Sequence, residues 1–196
     1  MKIWVARHGQ TAPNMAKQFI GRGNPRLLPK GKRTAKKVAV FLKRKTCCPE
    51  IIYSSPLARA RQTAQIIAKE LGFKKIFFEK RLTELNFGHW ERKTRQEVEK
   101  RFPGRVGKWL ADPYKETPAK GESYFELEKR LLPFIKKARK QKQKEIIIVA
   151  HANVIRVLPA LLIGMGRKRS LKTNKAYGTV HLFDTQKKKM KSFKAG

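Results

Sequence analysis

The chain has 196 residues, a length that suits one domain with a sizeable core. Lysine and arginine number 48 against 14 acidic residues, so the formal net charge is +34, yet hydrophobic residues still make up 40% of the chain. That hydrophobic content allows a packed globule despite the charge, and no apolar run is long enough to predict a membrane-spanning helix.

The positive charge is spread along the whole chain. A nucleic-acid-binding protein more often collects its basic residues in a tail or a stripe. The even spread is typical of a surface converted to cations, whether by selection or by deliberate supercharging. Because of this charge we expect non-specific binding of nucleic acids and other polyanions at low salt. We interpret such binding as a by-product, because the sequence contains no recognisable nucleic-acid-binding module.

The cysteine content predicts no disulfide framework. The two cysteines, Cys47 and Cys48, are neighbours in the chain, and such a pair cannot staple a fold. This pattern fits a reducing compartment. The N-terminal apolar run is too short to predict a signal peptide, so we expect a cytoplasmic protein. The oligomeric state is left open.

Short apolar runs predict four or five β-strands. The run I-I-I-V-A is continuous rather than alternating, as in a strand that is covered on both faces. The basic stretch K-K-K-M-K-S-F-K near the end predicts a last edge strand or a frayed segment. The predicted strands are Ile3–Ala6, Glu50–Ser54, Lys75–Glu79, Glu145–Ala150 and Thr179–Phe183.

Amphipathic patterns between these runs predict helices. Ser55 is expected to cap the second helix, with Pro56 at its first position and Gly72 at its end. The third helix is expected to kink or break near Pro133, and the fourth to stop at Gly164. The predicted helices are Gly31–Lys45, Pro56–Leu71, Glu122–Gln141 and Val154–Ile163.

Strands that alternate with helices predict an α/β fold, a three-layer sandwich with a mostly parallel central sheet flanked by helices. We expect a single domain over residues 1–196. The stretch 94–121 is less regular and contains several prolines and glycines. It is expected to be an insertion with short helices that covers the ligand site like a cap.

Polar residues that directly follow the predicted strands are the candidates for a ligand site. Ligands of open α/β sheets gather at the carboxyl ends of the strands. Arg7 and His8 follow the first strand, and His151 follows the fourth. Arg59 lies one turn into the helix after the second strand, and Glu84 follows the third strand. Together these side chains indicate a phosphate site with a nucleophile and an acid.

Four segments resemble the motifs of the histidine phosphatase superfamily, the phosphoglycerate-mutase-like proteins. The segments follow the family's order and together span nearly the whole chain. The short chain is most similar to the compact phosphatases of the α-ribazole phosphatase type. The segments are R-H-G-Q-T-A-P-N, S-S-P-L-A-R-A-R-Q-T-A, L-T-E-L-N-F-G-H-W-E and I-I-I-V-A-H-A-N-V-I-R.

The resemblance implies a phosphoric monoester hydrolase that acts on small phosphorylated metabolites through a phosphohistidine, with no metal ion and no cofactor. It makes His8 the nucleophile and Glu84 the acid that protonates the leaving group. It makes His151 a further donor to the transferred phosphoryl group. The implied phosphate-binding groups are Arg7, Arg59, Asn14 and the backbone N–H of Ala152.

Several of these residues keep an alternative interpretation. Asn14 can simply form a turn, and Glu84 can belong to a surface ion pair. A buried histidine such as His8 is often only a hydrogen-bonded core residue. His89 and His181 are expected to be bystanders.

The chain departs from the family pattern at a few positions. Ala152 and Asn153 occupy places where the family commonly has two glycines, and Asn153 is expected to narrow the pocket or to alter substrate choice. Arg92 occupies a place where glycine is common, so a tight turn is expected to be disturbed there.

Two other functions are left open by the sequence. A phosphoglycerate-type mutase would need a pocket that excludes water and rebinds a phosphorylated product. A cationic scaffold with impaired activity would bind nucleic acid non-specifically. The physiological substrate cannot be named from the sequence.

Overall fold

The structure, a computed structural model, describes residues 1–46 and 49–195. Cys47 and Cys48, and with them the expectation about disulfides, lie outside the described residues. The described strands are β1 (Lys2–Arg7), β2 (Pro49–Ser54), β3 (Ile76–Phe78), β4 (Glu145–Ala150), β5 (Thr179–Asp184) and β6 (Lys189–Lys194).

These strands form one six-stranded sheet in the order β3-β2-β4-β1-β5-β6. β1 to β4 pair in parallel, whereas β5 and β6 join antiparallel at one edge. The predicted mostly parallel sheet is therefore confirmed, and the basic stretch near the end forms the edge strand β6.

Helices connect the strands and cover both faces of the sheet. Two single-turn 3₁₀ helices, Lys80–Leu82 and Gly88–Trp90, follow β3. Within the described ranges the α-helices are α1 (Ala12–Met15), α2 (Pro29–Lys45), α3 (Ala58–Leu71), α4 (Arg95–Arg101), α5 (Arg105–Ala111), α6 (Tyr124–Arg139), α7 (Ala152–Ile163) and α8 (Arg167–Ser170).

The continuous apolar run of β4 is explained by a core on each side of the sheet. Alternate residues of the strand, Ile146 and Ile148 against Ile147 and Val149, belong to two different hydrophobic clusters. α6 and α7 contribute to the first cluster, and α2 and α3 contribute to the second. This arrangement confirms the three-layer α/β sandwich.

The predicted start of the second helix and the predicted break at Pro133 are wrong. α3 begins at Ala58, with Leu57 as its extended N-cap residue, and so Pro56 precedes the helix. Ser55 lies two residues before this N-cap residue, and its hydroxyl accepts a hydrogen bond from the Leu57 N–H at 3.3 Å and lies 2.8 Å from His151 Nε2. α6 continues through Pro133 without a break, since a buried face on both sides of the proline holds the helix against the core. The predicted helix ends at Gly72 and Gly164 are confirmed, as both glycines have left-handed backbone angles.

The sheet brings three strand ends to one edge. Arg7 of β1 lies opposite Ala150 of β4, and Ser54 of β2 lies opposite Val149 of β4. His8, Ser55 and His151 each come directly after one of these strands, so the fold places them side by side. In the described part of the chain, no helix has both the length and the apolar character that crossing a membrane requires.

Candidate active site

A cavity of about 250 Å³ opens at this edge of the sheet. Four cationic side chains and one carboxylate line it, so its charge is strongly positive. Trp109 and Leu110 of α5, within the stretch 94–121, form part of its wall. The polar and charged side chains that line the cavity are Arg7, His8, Asn14, Gln18, Arg59, Glu84, Asn153, Arg156 and Lys175.

The ring of His8 is held in one tautomer. Its Nδ1 lies 2.7 Å from the carbonyl oxygen of Gly9 and donates to it. Nε2 is therefore unprotonated and accepts a hydrogen bond from Arg59 Nε at 3.2 Å. Burial, followed by the positive charges of Arg59 and Arg7, holds the pKa of His8 well below its ordinary value. His8 is thus a neutral imidazole with a lone pair on Nε2, which is the form a nucleophile needs.

Gly9 is required by a close approach of two backbones. A Cβ atom at this position would lie 2.2 Å from the carbonyl oxygen of Gly31, at the start of α2. The Gly9 N–H donates to Thr63 Oγ1 at 3.1 Å, and Thr63 Oγ1 donates to the Arg59 carbonyl at 2.8 Å. The acceptor that orients His8 is therefore tied to the first turns of α3, which carry Arg59.

Arg59 is buried, with 1% of its surface exposed, and its guanidinium group has several hydrogen bonds. Nη1 and Nη2 donate to the carbonyl oxygens of Gly23 and Gly21 at 2.5 and 2.9 Å, while Nε faces His8. Burial lowers the pKa of Arg59 to about 10, so the side chain stays charged at neutral pH.

Arg7 approaches the cavity from β1. Nη1 donates to the Lys175 carbonyl at 2.7 Å, and Nη2 donates to the Tyr177 hydroxyl at 2.9 Å. The guanidinium carbon lies 4.0 Å from the centroid of the Tyr177 ring. Nε is buried and has no hydrogen-bond partner among residues 1–46 and 49–195, so one donor is left for a ligand.

His151 lies behind the cavity wall, and its ring centroid is 5.0 Å from that of His8. Nε2 is 2.8 Å from Ser55 Oγ, whereas Nδ1 is buried and unpaired within the described residues. Burial and the charge of Arg59 hold the pKa of His151 well below its ordinary value, so these surroundings favour a neutral His151.

Glu84 lies in the cavity wall and is 6% exposed. Its Oε1 accepts hydrogen bonds from the backbone N–H groups of Leu85 and Asn153 at 2.9 and 3.3 Å. None of the ion pairs between described residues includes Glu84, so the surface ion-pair alternative is wrong.

Asn14 and Ala152 also line the cavity. Asn14 Oδ1 accepts hydrogen bonds from the backbone N–H and the hydroxyl of Thr11 at 3.1 and 2.8 Å, so Asn14 does form a turn. Its amide NH₂ is left for a ligand. Ala152 is the first residue of α7, where backbone N–H groups point out of the helix.

The two histidines that we expect to be bystanders, His89 and His181, differ in their surroundings. His89 is exposed. His181 is buried on β5, with Nε2 donating to the Asn174 carbonyl at 2.7 Å and Nδ1 accepting from Ser192 Oγ at 2.9 Å. His181 therefore holds the segment that carries Lys175 and Tyr177.

Sequence reasoning missed Arg156, Lys175 and Tyr177. Arg156 lies on the helix after β4, much as Arg59 lies on the helix after β2, and that parallel is a signal by which Arg156 could have been found. Lys175 gives no such signal, because it is one of many lysines in loops.

The two departures from the family pattern have different consequences. Asn153 lines the cavity, and its Oδ1 accepts a hydrogen bond from the Tyr124 hydroxyl at 2.6 Å. Arg92 has a φ angle of +63°, in the left-handed region that favours glycine. Asn153 thus belongs to the site, whereas Arg92 places a side chain in a turn that glycine would suit better.

The chain is similar to several known proteins. Residues 3–194 match the sequence profile of the histidine phosphatase superfamily (branch 1). A protein of Hydrogenobacter thermophilus named "Putative phosphoserine phosphatase 2" is 33% identical over 166 residues, which are 84% of this chain and 80% of that protein. Phosphoserine phosphatase 1 of the same organism is 27% identical over 186 residues, which are 93% of this chain and 87% of that protein.

A solved structure extends the likeness to the fold. The crystal structure of the alpha-ribazole phosphatase from Shigella flexneri superposes with a TM-score of 0.85 at 25% identity, covering 97% of this chain and 93% of that chain.

Proposed function

Because the chain belongs to the histidine phosphatase superfamily and is a phosphoric monoester hydrolase, we propose that it hydrolyses small phosphorylated metabolites through a phosphohistidine on His8, without a metal ion. The observation that carries this proposal is the state of His8. Its Nδ1–H is bound to the Gly9 carbonyl, and its pKa is lowered, so Nε2 presents a lone pair to the cavity. A side-chain nucleophile of this kind and two arginines supply the attack and the charge stabilisation that the reaction requires.

The first half of the reaction transfers the phosphoryl group. His8 Nε2 attacks phosphorus in line, a P–N bond forms, and the P–O bond to the leaving group breaks. Glu84 gives its proton to the departing alkoxide. Arg59 Nε, which donates to Nε2 of His8 in the structure, turns to a phosphoryl oxygen. Arg7 Nε and the backbone N–H of Ala152 supply further donors.

The second half releases phosphate. Glu84, now a carboxylate, takes a proton from a water molecule that attacks phosphorus, the P–N bond breaks, and neutral His8 is restored. His151 Nδ1, unpaired among the described residues, is close enough to His8 to face the phosphoryl group. When a phosphate dianion is present, its charge favours the protonated form of His151, which can then donate.

The stretch 94–121 acts in this proposal as a cap-like insertion of a single domain over residues 1–196. Trp109 and Leu110 from this stretch line the cavity. Their apolar side chains reduce the access of water to the leaving group.

Small alkyl phosphates are the substrates we favour. Two relatives are named phosphoserine phosphatases and a structural neighbour is named an alpha-ribazole phosphatase. The net charge of +34 also supports non-specific binding of nucleic acids at low salt, which weakens as salt rises. Activity is therefore best measured at moderate salt.

The experiment that tests the proposal follows the hydrolysis of para-nitrophenyl phosphate at moderate salt with a chelator present. We expect the parent to keep its activity in chelator and His8→Ala to lose about a thousandfold or more of it. The matched control is His89→Ala, which removes an exposed imidazole and should leave turnover unchanged. Activity that disappears with the chelator, or that is equal in the parent and His8→Ala, would contradict the proposal.

A further inference from the structure

A second cavity lies apart from the candidate active site. Its volume is about 580 Å³, and it shares no lining residue with the cavity that contains His8. One wall comes from the end of α7, from α8 and from the segment after α8, and the other wall comes from β6 and the turn before it. The proposed hydrolysis uses no residue of this second cavity.

The second cavity is strongly cationic. None of its described lining residues is acidic, and its cations take part in none of the ion pairs found within residues 1–46 and 49–195. The sequence has the same imbalance, since Asp184 is the only acidic residue after Glu145. Like charges that line one cavity repel each other, so a ligand with several negative charges is favoured there. The five cations are Arg169, Lys172, Lys188, Lys189 and Lys191.

Thr173 adds a buried hydroxyl to this cavity. The residue is 7% exposed and lines the cavity, and its Oγ1 is buried with no hydrogen-bond partner in the part of the chain that the structure describes. A buried hydroxyl without a partner is unfavourable. Rotation about χ1 allows the hydroxyl to donate to a ligand oxygen in the cavity, a contact that surface lysines alone do not provide.

His181 joins the two walls of the second cavity. Its Nε2 donates to the carbonyl of Asn174 in one wall, and its Nδ1 accepts from Ser192 Oγ on β6 in the other wall. The Thr173 N–H donates to the carbonyl of Ser170 at 3.0 Å, which ties the lining segment to α8. These contacts set the shape of the cavity before a ligand enters, which reduces the entropic cost of binding.

We propose that the second cavity binds a chain of condensed phosphate groups, carried by an inorganic polyphosphate or by the triphosphate of a nucleotide. Every phosphate unit of such a chain has charged oxygens that accept hydrogen bonds, so one ligand contacts several of the five cations at once. A single phosphate would leave most of these cations unpaired. A nucleic-acid strand fits less well, because no aromatic residue is among the described lining residues and the bases have no ring on which to stack.

Calorimetric titration with inorganic tripolyphosphate tests this proposal. The titration is made with a chelator present and at about 150 mM salt, where exposed charges more than about 8 Å apart are largely screened. The triple variant Lys172→Met, Lys189→Met and Lys191→Met removes charge from both walls of the cavity. Its affinity at the second cavity should be about tenfold or more below that of the parent, because charge-assisted hydrogen bonds are lost.

The matched control removes the same amount of charge elsewhere. Lys30→Met, Lys32→Met and Lys69→Met change exposed lysines of α2 and α3 that do not line the cavity. This control variant should bind tripolyphosphate as the parent does. Equal weakening in the two triple variants would show that the whole surface charge holds the ligand, and would overturn the proposal.

Inhibition of para-nitrophenyl phosphate hydrolysis separates the two cavities. Tripolyphosphate also meets cations in the cavity that contains His8, and its inhibition constant reports binding there. The triple variant of the second cavity should keep the inhibition constant of the parent while it loses calorimetric binding. A parallel loss of both would overturn a separate site. If a folded parent does not hydrolyse para-nitrophenyl phosphate, the proposed function fails, and the calorimetric comparison still decides the second cavity.

Thr173→Val tests the buried hydroxyl. It keeps the branched shape of the side chain and removes Oγ1, so the Tm of the free protein should rise because an unpaired buried group is gone. The affinity for tripolyphosphate should fall about threefold or more, because a donor to the ligand is lost. An unchanged affinity would remove Thr173 from the site and overturn the arrangement proposed here.

Two further ligands identify the source of the phosphate chain. ATP, with a chelator present, should bind more tightly than tripolyphosphate if a nucleotide is the ligand, and less tightly if an inorganic polyphosphate is. Single-stranded oligothymidylate should bind the parent and the triple variant of the second cavity alike. If the oligonucleotide bound more tightly than tripolyphosphate and the triple variant lost that binding, the cavity would be a nucleic-acid site and the proposal would be wrong.

Discussion

The two ends of the cavity are built in different ways. At the phosphoryl end, His8 and Arg59 are almost fully buried. His8 directly follows β1 of the central sheet, and Arg59 lies in the first turn of α3. At the leaving-group end, Lys175 lies in a loop and Leu110 lies on a seven-residue helix with 49% of its surface exposed. In the proposed function, the groups that every phosphomonoester shares therefore contact the rigid part of the fold, whereas the groups that differ between substrates contact connecting segments.

The hydrogen bonds of the two ends differ in part. Each nitrogen of the Arg59 guanidinium group already has a partner within the protein, and His8 is fixed through both ring nitrogens. Nε of Arg7 at the phosphoryl end and Nε of Arg156 at the leaving-group end are unpaired among the described residues. His8 and Arg59 are therefore preorganised for one geometry, and an arginine donor is left for a substrate at each end.

The largest effect is expected from a change at the phosphoryl end. Arg59→Met should lower kcat/KM by about a thousandfold for every substrate, because it removes charge stabilisation common to all of them. It also removes a positive charge that lowers the pKa of His8, so that pKa rises and the acid limb of the pH–rate profile moves to higher pH.

Rates for para-nitrophenyl phosphate and glycerol 3-phosphate across pH 5–9 test this expectation, with Arg61→Met as the exposed control on the same helix. If Arg59→Met lowered kcat/KM by different factors for the two substrates, Arg59 would belong partly to the leaving-group end. The contrast between the two ends would then weaken.

An intermediate effect is expected at Glu84, which lies between the two ends. Glu84→Gln keeps an acceptor for the N–H groups of Leu85 and Asn153 but has no proton to give. The rate with glycerol 3-phosphate should fall about a hundredfold or more, because an alkoxide leaves poorly without an acid. The rate with para-nitrophenyl phosphate should fall far less, since nitrophenolate leaves without that help.

The measurement compares the rates of Glu84→Gln with the two substrates. The control is Glu70→Gln, which changes a glutamate on the outer part of α3. Equal losses with both substrates would show that Glu84 acts in dephosphorylation of His8 or in structure, and not on the leaving group.

The same contrast explains what the sequence could predict. Arg7 is the last residue of β1, and His8 and His151 lie directly after strands. Strand ends of a parallel sheet converge whatever the connecting segments do. The sheet, its mostly parallel order and these residues therefore follow from local patterns. Arg59 follows from its place one turn into a helix.

The leaving-group end could not be predicted in this way. Lys175 reaches the cavity because Arg7 and His181 hold the backbone of its loop, and the contact with Arg7 joins residues far apart in the chain. The predicted start of α3 is wrong for a related reason. Ser55 has the local features of a helix cap, but the N–H of Ala58, the first residue of α3, donates to Asn24 Oδ1, a partner 34 residues away. Long-range contacts of this kind leave no periodic signal in the sequence.

The smallest effect is expected at Arg92, which belongs to neither end. At its φ angle of +63° an L-residue has a strain on the order of 1 kcal/mol, which glycine avoids. Relief of this strain stabilises the folded state, but part of that stabilisation is offset because glycine has more conformational freedom in the unfolded chain. Arg92→Gly should therefore raise the free energy of unfolding by up to about 1 kcal/mol, or the Tm by a few degrees, with kcat/KM unchanged for both substrates.

Arg92→Ala separates the two possible causes of such a gain. It removes the same charge but keeps a Cβ atom in the left-handed conformation, so it should give no stabilisation if backbone strain is the cause. An equal gain in both variants would mean that relief of charge repulsion, in a chain of net charge +34, stabilises the fold more than relief of strain does. Arg92 would then be one of many cations whose removal stabilises the fold, and the same gain would be expected from exposed lysines that have ordinary backbone angles.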